Sequence, residues 1–578
     1  MQHDRIPAVS SVPGRHSRRN RDLPRRAADL LVDQLIAVGV DTVFGLPGAA
    51  VAPIYDALMD RPQVRMVTVK HEANAVFAAA GYAQTTGRLG VALVTSGPGA
   101  LNAMNGLACA FSDGLPVLLL AGEAARDGFG RGAVQEGSVY ALNLVGMAAK
   151  VSKLAFEVPE AAALPSMLRR AVGVAMTGKR GPVFVSLPLN VLGVAIPAPA
   201  VVFSATSESG LSQAPIEQAL RALSGAGRKV LLAGAGTRFG HGPALLREVA
   251  ERLQCPVMTT PKAKGVFPES HPLSLGVFGM GGHPSTTAYL EAGVETILVV
   301  GSSLNEVATD GWSPLLKGGR TLIHVDVDAA RVGRVYETDL AIVAPAEIFF
   351  AQLLQLAPQA AAMSPCRILY DRDPQEVPDG VGPGIGAPRA LWELQQVLPP
   401  DTIYTTDSGT NLFFAIHYLK IDHPDAFVCL MGLGSMGTAI GTAIGAQVGN
   451  PERSVVAVLG DGGLAMTAGE LLTAAAYELP IVVAVLNNGG LGMVEYGQAA
   501  VYGRTPRFET APMSVTDLAR AVGCDGTTID GPNQVAAVLK ARRVRPMVLD
   551  VHLDPRATIP GNRRVDKVKK SARVAELN

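Results

Sequence analysis

Short, uninterrupted runs of apolar residues, each followed by a glycine-containing turn, constrain the fold of this chain more than any other feature. Alternating polar and apolar residues would indicate strands with one solvated face, whereas continuous Val and Leu runs indicate strands covered on both faces. Helical segments follow most of the turns, which is typical of a parallel sheet with helices on each side. Examples in chain order are "DTVFGLPG", "GVALVTSGPG", "KVLLAGAG", "TILVVGSS", "SVVAVLGDGG" and "PIVVAVLNNGG".

The strand–turn–helix pattern falls into three blocks, separated by segments rich in proline, glycine and polar residues. We therefore predict an α/β protein with three doubly wound parallel-sheet domains. The first and third blocks have similar length and pattern, which indicates two copies of one architecture. The predicted boundaries are 1–25 for a disordered tail, 26–196, 212–357 and 387–555 for the domains, 358–386 for a linker, and 556–578 for a C-terminal tail or lid.

Composition argues against several classes of protein. The chain has 578 residues, with 50 Lys and Arg against 50 Asp and Glu, so no net charge attracts nucleic acid or an anionic membrane. Its apolar runs are too short to cross a bilayer. The five cysteines are widely spaced without a zinc or iron–sulfur pattern, which fits buried thiols in a reducing cytoplasm. The Arg-rich N-terminus lacks the apolar region of a secretory signal. A transit peptide is the alternative to a disordered tail, although Asp4, Asp22 and three prolines disfavour the amphipathic helix of such a peptide.

One stretch, "GDGGLAMTAGELLTAAAYELPIVVAVLNNGG" at residues 460–490, places an acid and two carboxamides at the ends of successive predicted strands. The carboxyl ends of parallel strands meet at one edge of a sheet, and neighbouring strands lie about 5 Å apart. Asp461 and Asn488 can therefore reach one ion, and carboxylate, amide and carbonyl oxygens suit Mg²⁺. Because the glycines also let backbone N–H groups approach a phosphate, the stretch predicts a metal–diphosphate site.

This combination of GDG, a helix, an apolar strand and paired asparagines resembles the thiamin diphosphate signature of the acetolactate synthase and pyruvate decarboxylase superfamily. The resemblance implies that the side chains of Asp461 and Asn488 and the carbonyl of Gly490 hold Mg²⁺. The residues that it implies around the diphosphate are Gly462, Gly463, Gly492 and Met493.

The segment "VTVKHEANAVFAAAGYAQTTG" resembles the family segment that supplies a carboxylate to the aminopyrimidine of the cofactor, and Glu72 stands in that position. A capping acid at a helix start is the other interpretation of Glu72. A zinc-peptidase motif does not fit, because HEANA lacks the second histidine. Upstream, "GLPG" resembles acetolactate synthases and makes Gly48 a cofactor-binding candidate. Downstream, "TSGPGALNAMNGLACAFSDGLPVLLLAGE" resembles them too.

Two segments of the third block supply further cofactor-binding candidates. "GLGSMGTAIGTAIGAQVG" resembles the segment that bends thiamin diphosphate into a V shape, with Gly434 and Met436 at the cofactor. A core methionine is the other interpretation of Met436. "TTDSGTN" resembles the diphosphate loop, and its candidates are Ser408, Gly409, Thr410 and Asn411.

The remaining catalytic candidates lie near the expected substrate. "GRGAVQEGSVYALNLVGMAAKVSK" resembles the synthase segment with a Gln facing the thiazolium and a later Lys, here Gln135 and Lys150. Val134 stands where family members commonly carry Phe. After the asparagines, Tyr496 and Gly497 replace residues that help the synthases to choose an acceptor, and Glu495 introduces an acid near the expected mouth of the active site. Glu495 is a candidate for proton transfer, and a solvated acid at a helix start is the alternative.

The resemblance covers roughly residues 27–555, so the three domains correspond to the pyrimidine-binding, central and diphosphate-binding domains of the family. It implies a cofactor shared between subunits of a homodimer at least, assembled further into a homotetramer. It implies decarboxylation of a pyruvate-like 2-keto acid and ligation of the product to a second carbonyl. The expected partners are a small 2-keto acid or an acyl-CoA, without nucleic acid or membrane.

Two questions stay open in the sequence. The central block has a weak glycine fingerprint and "GVFGMGGHPS" resembles the flavin-contacting turn, but "GSSLNE" departs from the usual Arg-Phe-Asp-Asp, so FAD binding is undecided. The alternative activity is that of a carbon–carbon lyase or decarboxylase, such as a 2-hydroxyacyl-CoA lyase or oxalyl-CoA decarboxylase, with the basic tail 563–573 as a lid. A degenerate, non-catalytic subunit is the third hypothesis.

Overall fold

All strand pairs in the three sheets of the computed structural model are parallel, and each sheet has six strands. The described residues are 25–196, 210–359, 364–371, 384–508, 513–539 and 544–553, with positions 361, 373, 375 and 560. Helices flank every sheet, so the predicted α/β class with doubly wound parallel sheets is confirmed. The predicted tails lie outside the described residues, apart from Arg25 and Pro560.

The first sheet has the strand order β2-β1-β3-β4-β6-β5. Its strands are β1 (Thr42–Gly45), β2 (Arg65–Thr68), β3 (Gly90–Val94), β4 (Val117–Glu123), β5 (Leu154–Glu157) and β6 (Val183–Pro188). Its helices are α1 (Ala27–Ala37), α2 (Ala52–Met59), α3 (Glu72–Thr86), α4 (Pro98–Asp113), α5 (Leu144–Ala148), α6 (Leu164–Met176) and α7 (Leu189–Leu192). Successive side chains of β3 enter two different apolar clusters, so both faces of this sheet are buried.

The second sheet has the order β12-β11-β10-β7-β8-β9, with the connection reversing between β7 and β10. Its strands are β7 (Arg228–Ala233), β8 (Val257–Thr259), β9 (Ser274–Val277), β10 (Val294–Val300), β11 (Thr321–Asp326) and β12 (Leu340–Val343). Its helices are α8 (Gln213–Ser224), α9 (Gly242–Leu253), α10 (Pro284–Glu291) and α11 (Ala346–Leu356).

The third sheet repeats the strand order of the first, as β14-β13-β15-β16-β18-β17, so the predicted duplication of one architecture is confirmed. Its strands are β13 (Ile403–Thr406), β14 (Phe427–Cys429), β15 (Val455–Gly460), β16 (Val482–Asn487), β17 (Asp525–Ile529) and β18 (Met547–His552). Its helices are α12 (Ala387–Val397), α13 (Thr410–Tyr418), α14 (Ala439–Gly449), α15 (Asp461–Thr467), α16 (Leu471–Ala476), α17 (Gly492–Tyr502), α18 (Val515–Ala521) and α19 (Gln534–Leu539).

The first and third sheets are joined by α3 and α14, which occupy equivalent places in the two repeats. Glycines let the helix backbones come close: a Cβ on Gly445 would lie 2.6 Å from the carbonyl carbon of Ala78, and one on Gly81 would lie 2.8 Å from Cα of Thr442. Apolar residues of both repeats therefore form one continuous core. Among the described residues, no helix combines the length and apolarity needed to cross a membrane.

Candidate cofactor and active site

The predicted metal ligands come together at the carboxyl ends of two paired strands. β15 and β16 pair in register through Gly460 and Leu486, so Asp461 and Asn488 follow neighbouring strand ends. The amide oxygen of Asn488 lies 3.0 Å from the carbonyl oxygen of Gly490 and 3.2 Å from Oδ1 of Asp461. A half-turn of the amide would put an NH₂ group there and form two hydrogen bonds, whereas the oxygen orientation places the Asn488 oxygen near two further oxygens, as ligands of one cation would be.

These oxygen–oxygen distances fit a magnesium ion. Mg²⁺ binds oxygens at about 2.0–2.1 Å in octahedral geometry, which places adjacent ligand oxygens about 2.9 Å apart. No group of three or more His, Cys, Asp or Glu side chains within the described ranges could hold a metal. A metal bound by this part of the chain would therefore depend on amide and carbonyl oxygens beside a carboxylate.

The glycines next to these oxygens lie where a side chain would not fit. A Cβ on Gly463 would overlap Oδ2 of Asp407, and one on Gly492 would overlap the amide nitrogen of Asn488. A Cβ on Gly462 would lie 2.8 Å from Leu491. Because α15 begins at Asp461, the first-turn N–H groups and the positive end of the helix dipole lie at the site, as a diphosphate requires.

The predicted diphosphate loop, residues 408–411, joins β13 to α13. Gly409 has φ 145°, a conformation that favours glycine, and Thr410 begins the helix. The Asn411 side chain is buried, and its amide nitrogen donates to the carbonyls of Asp407 at 2.8 Å and Val458 at 3.3 Å. Asn411 therefore ties this loop to β15 from behind, whereas Ser408 is partly exposed.

Asp407 connects the diphosphate loop, the turn after Met436 and the glycine turn at Gly463. The sequence did not predict a role for it. Its buried carboxylate accepts hydrogen bonds from the N–H groups of Ser408 at 3.1 Å, Gly437 at 2.8 Å and Thr438 at 3.0 Å. Burial raises the pKa of Asp407, and these donors oppose the shift. Since the backbone partners can only donate, the ionised carboxylate is the form that the surroundings satisfy.

Met436 lies over the glycine turn, since its Cε is 3.4 Å from the place of a Cβ on Gly462. The N–H of the next residue, Gly437, is held by Asp407. Gly434 has φ 76°, so the turn before Met436 uses a left-handed conformation. The structure thus brings Met436 to the predicted diphosphate site, and the side chain is only half-buried.

Glu72 is the first residue of α3, at the end of β2 in the first sheet. His71 caps this helix, because its Nδ1 accepts the N–H of Ala73 at 3.2 Å. The Glu72 carboxylate is 8% exposed and accepts a hydrogen bond from the Asn102 amide at 3.0 Å. Gly48, the other candidate on this sheet, begins a short helical turn where a Cβ would lie 2.5 Å from that of Thr95.

Gln135 is exposed on a loop of the first sheet, with φ 60°. Its Oε1 accepts a weak hydrogen bond from the Ser96 hydroxyl at 3.4 Å. Glu123 anchors the loop, because it accepts the N–H of Gly137 at 2.8 Å, and burial raises its pKa. Lys150 is exposed just after α5, and no hydrogen bond joins it to Gln135 within the described residues.

Glu495, in the first turn of α17, interacts with the chain that returns after this helix. Its Oε1 accepts the N–H of Phe508 at 2.7 Å, and the Phe508 carbonyl accepts the N–H of Leu491 at 3.0 Å. Residues 507–508 therefore lie against the loop that contains Gly490. The observed contact is structural, and Glu495 as a proton donor stays a prediction.

A cavity of about 320 Å³ lies at the ends of β7 and β10, where the strand order of the central sheet reverses. Ligands of open α/β sheets bind at this kind of place. The N–H of Gly236 donates to the carbonyl of Gly301 at 2.9 Å, so the two loops touch. Asp326, whose pKa burial raises, lies at the end of β11. The basic side chains that line the cavity are Lys179, Arg180, Lys262 and Arg331.

Sequence reasoning missed the connecting acids Asp407, Glu123 and Glu470. Asp407 and Glu470 stand inside the quoted motifs "TTDSGTN" and "TAGELL", and the signal was a carboxylate within an otherwise apolar or small-residue segment. Burial raises the pKa of Glu470 as well. Their partners lie far away in the chain, so the motifs alone did not indicate what they bind.

Models of thiamine pyrophosphate enzyme domains match the chain in three places: the N-terminal TPP binding domain at residues 25–142, the central domain at 216–353 and the C-terminal TPP binding domain at 407–551. The chain is similar to the acetolactate synthase large subunit of Corynebacterium glutamicum, at 33% identity over 94% of this chain and 89% of that protein.

Two further relatives have comparable coverage. The acetolactate synthase isozyme 3 large subunit of Escherichia coli is 33% identical over 91% of this chain and 94% of its own length. The acetolactate synthase large subunit of Lactococcus lactis is 30% identical over 91% of this chain and 92% of its own length. The chain therefore belongs to the acetolactate synthase large-subunit family of thiamine pyrophosphate enzymes.

Proposed function

We propose that this protein is a thiamin diphosphate- and Mg²⁺-dependent enzyme that decarboxylates pyruvate or a similar 2-keto acid and joins the product to a second carbonyl, with acetolactate as the product from pyruvate alone. The observation that carries the proposal is the convergence of oxygens from Asp461, Asn488 and Gly490 beside the glycine-opened helix α15. Its relatives named acetolactate synthase support this activity over the carbon–carbon lyase and the non-catalytic subunit.

The proposed roles follow from the chemistry of each group. Thiamin diphosphate, when bound, supplies the electron sink for decarboxylation. Asp461, Asn488 and Gly490 hold Mg²⁺, which neutralises the diphosphate. Glu72 holds a proton at the pyrimidine ring nitrogen N1′, and Gln135 orients the substrate. The remaining cofactor contacts come from the two glycine turns, the 408–411 loop, and the main chain around Met436 and Met493.

We propose that two copies of the chain complete each site and that the dimers pair into a tetramer. The support is an exposed apolar surface on and near the Gln135 loop. Val134 is 87% exposed, Tyr140 is 74% exposed, and Val139 and Met147 are exposed beside them. A second copy would cover these side chains, and light scattering on the purified protein tests the stoichiometry. All five cysteines are free, which supports a reducing compartment such as the cytoplasm.

We also propose that the central cavity binds the adenosine diphosphate part of a nucleotide cofactor, with FAD as the form suggested by the family resemblance. The support is the position of the cavity at the reversal of strand order, together with four basic side chains that outnumber the acids Asp113, Asp326 and Glu347 in its lining. The test is to denature the purified protein by heat and to identify the released ligand by chromatography. A flavin spectrum would support FAD, and ADP would support the smaller ligand. The absence of both compounds would contradict the proposal.

The experiment that tests the activity is carbon dioxide release and product mass with pyruvate, thiamin diphosphate and Mg²⁺. We expect acetolactate. Acetaldehyde alone would make the protein a decarboxylase. Absence of turnover while thiamin diphosphate is bound would contradict the proposal and direct attention to acyl-CoA thioesters and larger keto acids.

A further inference from the structure

The segment immediately before Glu72 is bound by a carboxylate of the third sheet domain. The Oε1 atom of Glu470 accepts the N–H of Lys70 at 2.8 Å and the N–H of His71 at 2.9 Å. These are the two residues that lead into α3, whose first residue is Glu72. A single side chain, 400 residues away from Lys70 in the chain, therefore fixes the backbone that carries the proposed catalytic carboxylate.

Two neighbouring contacts extend this attachment along the end of β2. The hydroxyl of Tyr477 accepts the N–H of Thr68 at 2.8 Å, and the hydroxyl of Thr473 contacts the carbonyl of Thr68 at 3.3 Å. Thr473 also donates to the second oxygen of Glu470, at 2.9 Å. These hydrogen bonds form one contact between the two domains, in which Glu470 holds the residues nearest to Glu72.

The environment of Glu470 favours a role as a hydrogen-bond acceptor. The residue is 1% exposed, and burial raises its pKa, while the N–H of Lys70 and the Thr473 hydroxyl oppose the shift. The Asn74 amide donates a further hydrogen bond to Glu470, which also opposes the shift, and the side-chain oxygen of Asn74 is buried without a hydrogen-bond partner. A glutamine at position 470 could accept the same backbone N–H groups through its oxygen, and a half-turn of the Asn74 amide would turn its unpaired oxygen toward the new NH₂ group. We therefore expect the position of Lys70 and His71 to depend on the acceptor oxygen and not on the charge.

The same side chain is also connected to the diphosphate turn. Glu470 ends the short 3₁₀ turn Ala468–Glu470, which follows α15 after a bend at Thr467 (φ −134°, ψ 15°), and α15 begins at Asp461. Only this short segment separates the Asp461 turn from the side chain that holds the start of α3, so a displacement of the turn has a direct covalent route to Glu470.

We propose that Glu470 is a positioning residue for Glu72, and that it couples the placement of Glu72 to cofactor binding at the Asp461 turn of the same chain. This inference rests on the proposed function for the role of Glu72. The coupling itself is a property of the protein backbone and is measurable without turnover.

The first test is amide hydrogen exchange of the cofactor-free protein, read in peptides that span residues 66–77. Glu470→Ala should speed exchange at Lys70 and His71 by at least about tenfold, because both N–H groups lose their acceptor. Glu470→Gln should exchange like the wild type. Tyr477→Phe is the matched control, since it removes a hydrogen bond of the same contact, that of the Thr68 N–H. Thr68 lies two residues further from Glu72 than Lys70 does. Unchanged exchange in Glu470→Ala would overturn the inference.

The second test adds thiamin diphosphate and Mg²⁺. Binding should slow exchange in residues 66–77 of the wild type and Glu470→Gln, but not of Glu470→Ala. Should Glu470→Ala fail to fold, Glu470→Asp keeps the charge and withdraws the acceptor, and it should show the same loss of coupling. Equal slowing in the wild type and in the folded variant would refute the coupling.

The third test is steady-state kinetics. A displacement of Glu72 of up to about 1 Å should lower kcat by about 10- to 100-fold in Glu470→Ala, with KM for pyruvate within about twofold. Glu470→Gln should restore kcat, whereas a loss as large as that of Glu470→Ala would assign the role to the charge and overturn a positioning role. If the wild type does not turn over pyruvate, the proposed function fails, and the two exchange tests still decide the coupling.

Discussion

Replacing Gly445 by Ala tests how closely the activity depends on the contact between α3 and α14. The new Cβ would lie 2.6 Å from the carbonyl carbon of Ala78 and 2.9 Å from its Cα, with the carbonyl oxygen closer still. Favourable carbon–carbon contacts begin at about 3.5 Å. The two helices must therefore separate by about 1 Å, and both are buried, so neither can turn away from the contact.

The expected cost follows from two opposing effects. Overpacking of backbone against backbone costs about 3 kcal/mol, the upper part of the range for inserted groups, and Ala recovers up to about 1 kcal/mol of helix propensity. The net loss of about 2 kcal/mol corresponds to a melting temperature about 4–8 °C lower for a domain of this size. Because α3 begins at Glu72, a shift of about 1 Å should also lower kcat by about 100-fold.

Thermal unfolding by calorimetry and the rate of acetolactate formation measure the two effects. Gly173→Ala in α6 is the matched control, because a Cβ on Gly173 would meet no atom within 4 Å. It should raise stability by about 0.5–1 kcal/mol and leave kcat unchanged. The reasoning would be refuted if Gly445→Ala had the melting temperature and kcat of the wild type, or gained stability as Gly173→Ala should.

Three further changes have definite expected outcomes. Glu72→Gln should lower kcat by at least about 100-fold with an unchanged melting temperature and circular dichroism spectrum, and a variant of wild-type rate would remove Glu72 from the chemistry. Asp407→Asn turns one acceptor into a donor facing a backbone N–H, so the Kd for thiamin diphosphate, measured by fluorescence titration, should rise about tenfold, and an unchanged Kd would contradict this. Burial lowers the pKa values of His283 and His417, so the unfolded chain binds more protons than the folded one as the pH falls through about 6.5. Calorimetry should therefore show that the free energy of unfolding falls between pH 7.5 and 5.5, by up to about 1.4 kcal/mol per pH unit for each histidine. The variant His283→Gln should reduce that slope. An unchanged slope in His283→Gln would exclude this histidine as a source of the pH dependence.

The architecture was predictable because its signals are local. A continuous apolar run identifies a strand that is buried on both faces. When a turn and a helix follow each strand, the chain crosses back over the sheet, and the next strand then pairs in parallel. The carboxyl ends of β15 and β16 were expected to meet, and the register of these strands brings Asp461 and Asn488 to one edge. Even the repeated strand order of the first and third sheets follows from two blocks of similar pattern.

The roles of the buried acids were not predictable for the opposite reason. Asp407 belongs to the "TTDSGTN" motif, yet its partners Gly437 and Thr438 are 30 and 31 residues away, on a loop whose position depends on the packing of α14. Nothing in the sequence indicated that the Glu495 carboxylate accepts the N–H of Phe508, which lies 13 residues further along the chain. A sequence pattern reports spacing along the chain, and these hydrogen bonds depend on which loops are adjacent in space.

The sequence by itself determined the three parallel sheets and the residue types that stand at the strand ends. Both follow from the period and length of the apolar runs. These signals are local, so they act in the same way whatever the rest of the chain packs against the segment. Only the tertiary structure decided that the Asn488 amide lies 3.0 Å from the Gly490 carbonyl oxygen and 3.2 Å from Oδ1 of Asp461. It also decided that glycines bring α3 and α14 together and that Glu470 holds the residues before Glu72. Hydrogen bonds and steric contacts act over a few ångströms, so only the packing of the sheets brings these distant residues within range of one another.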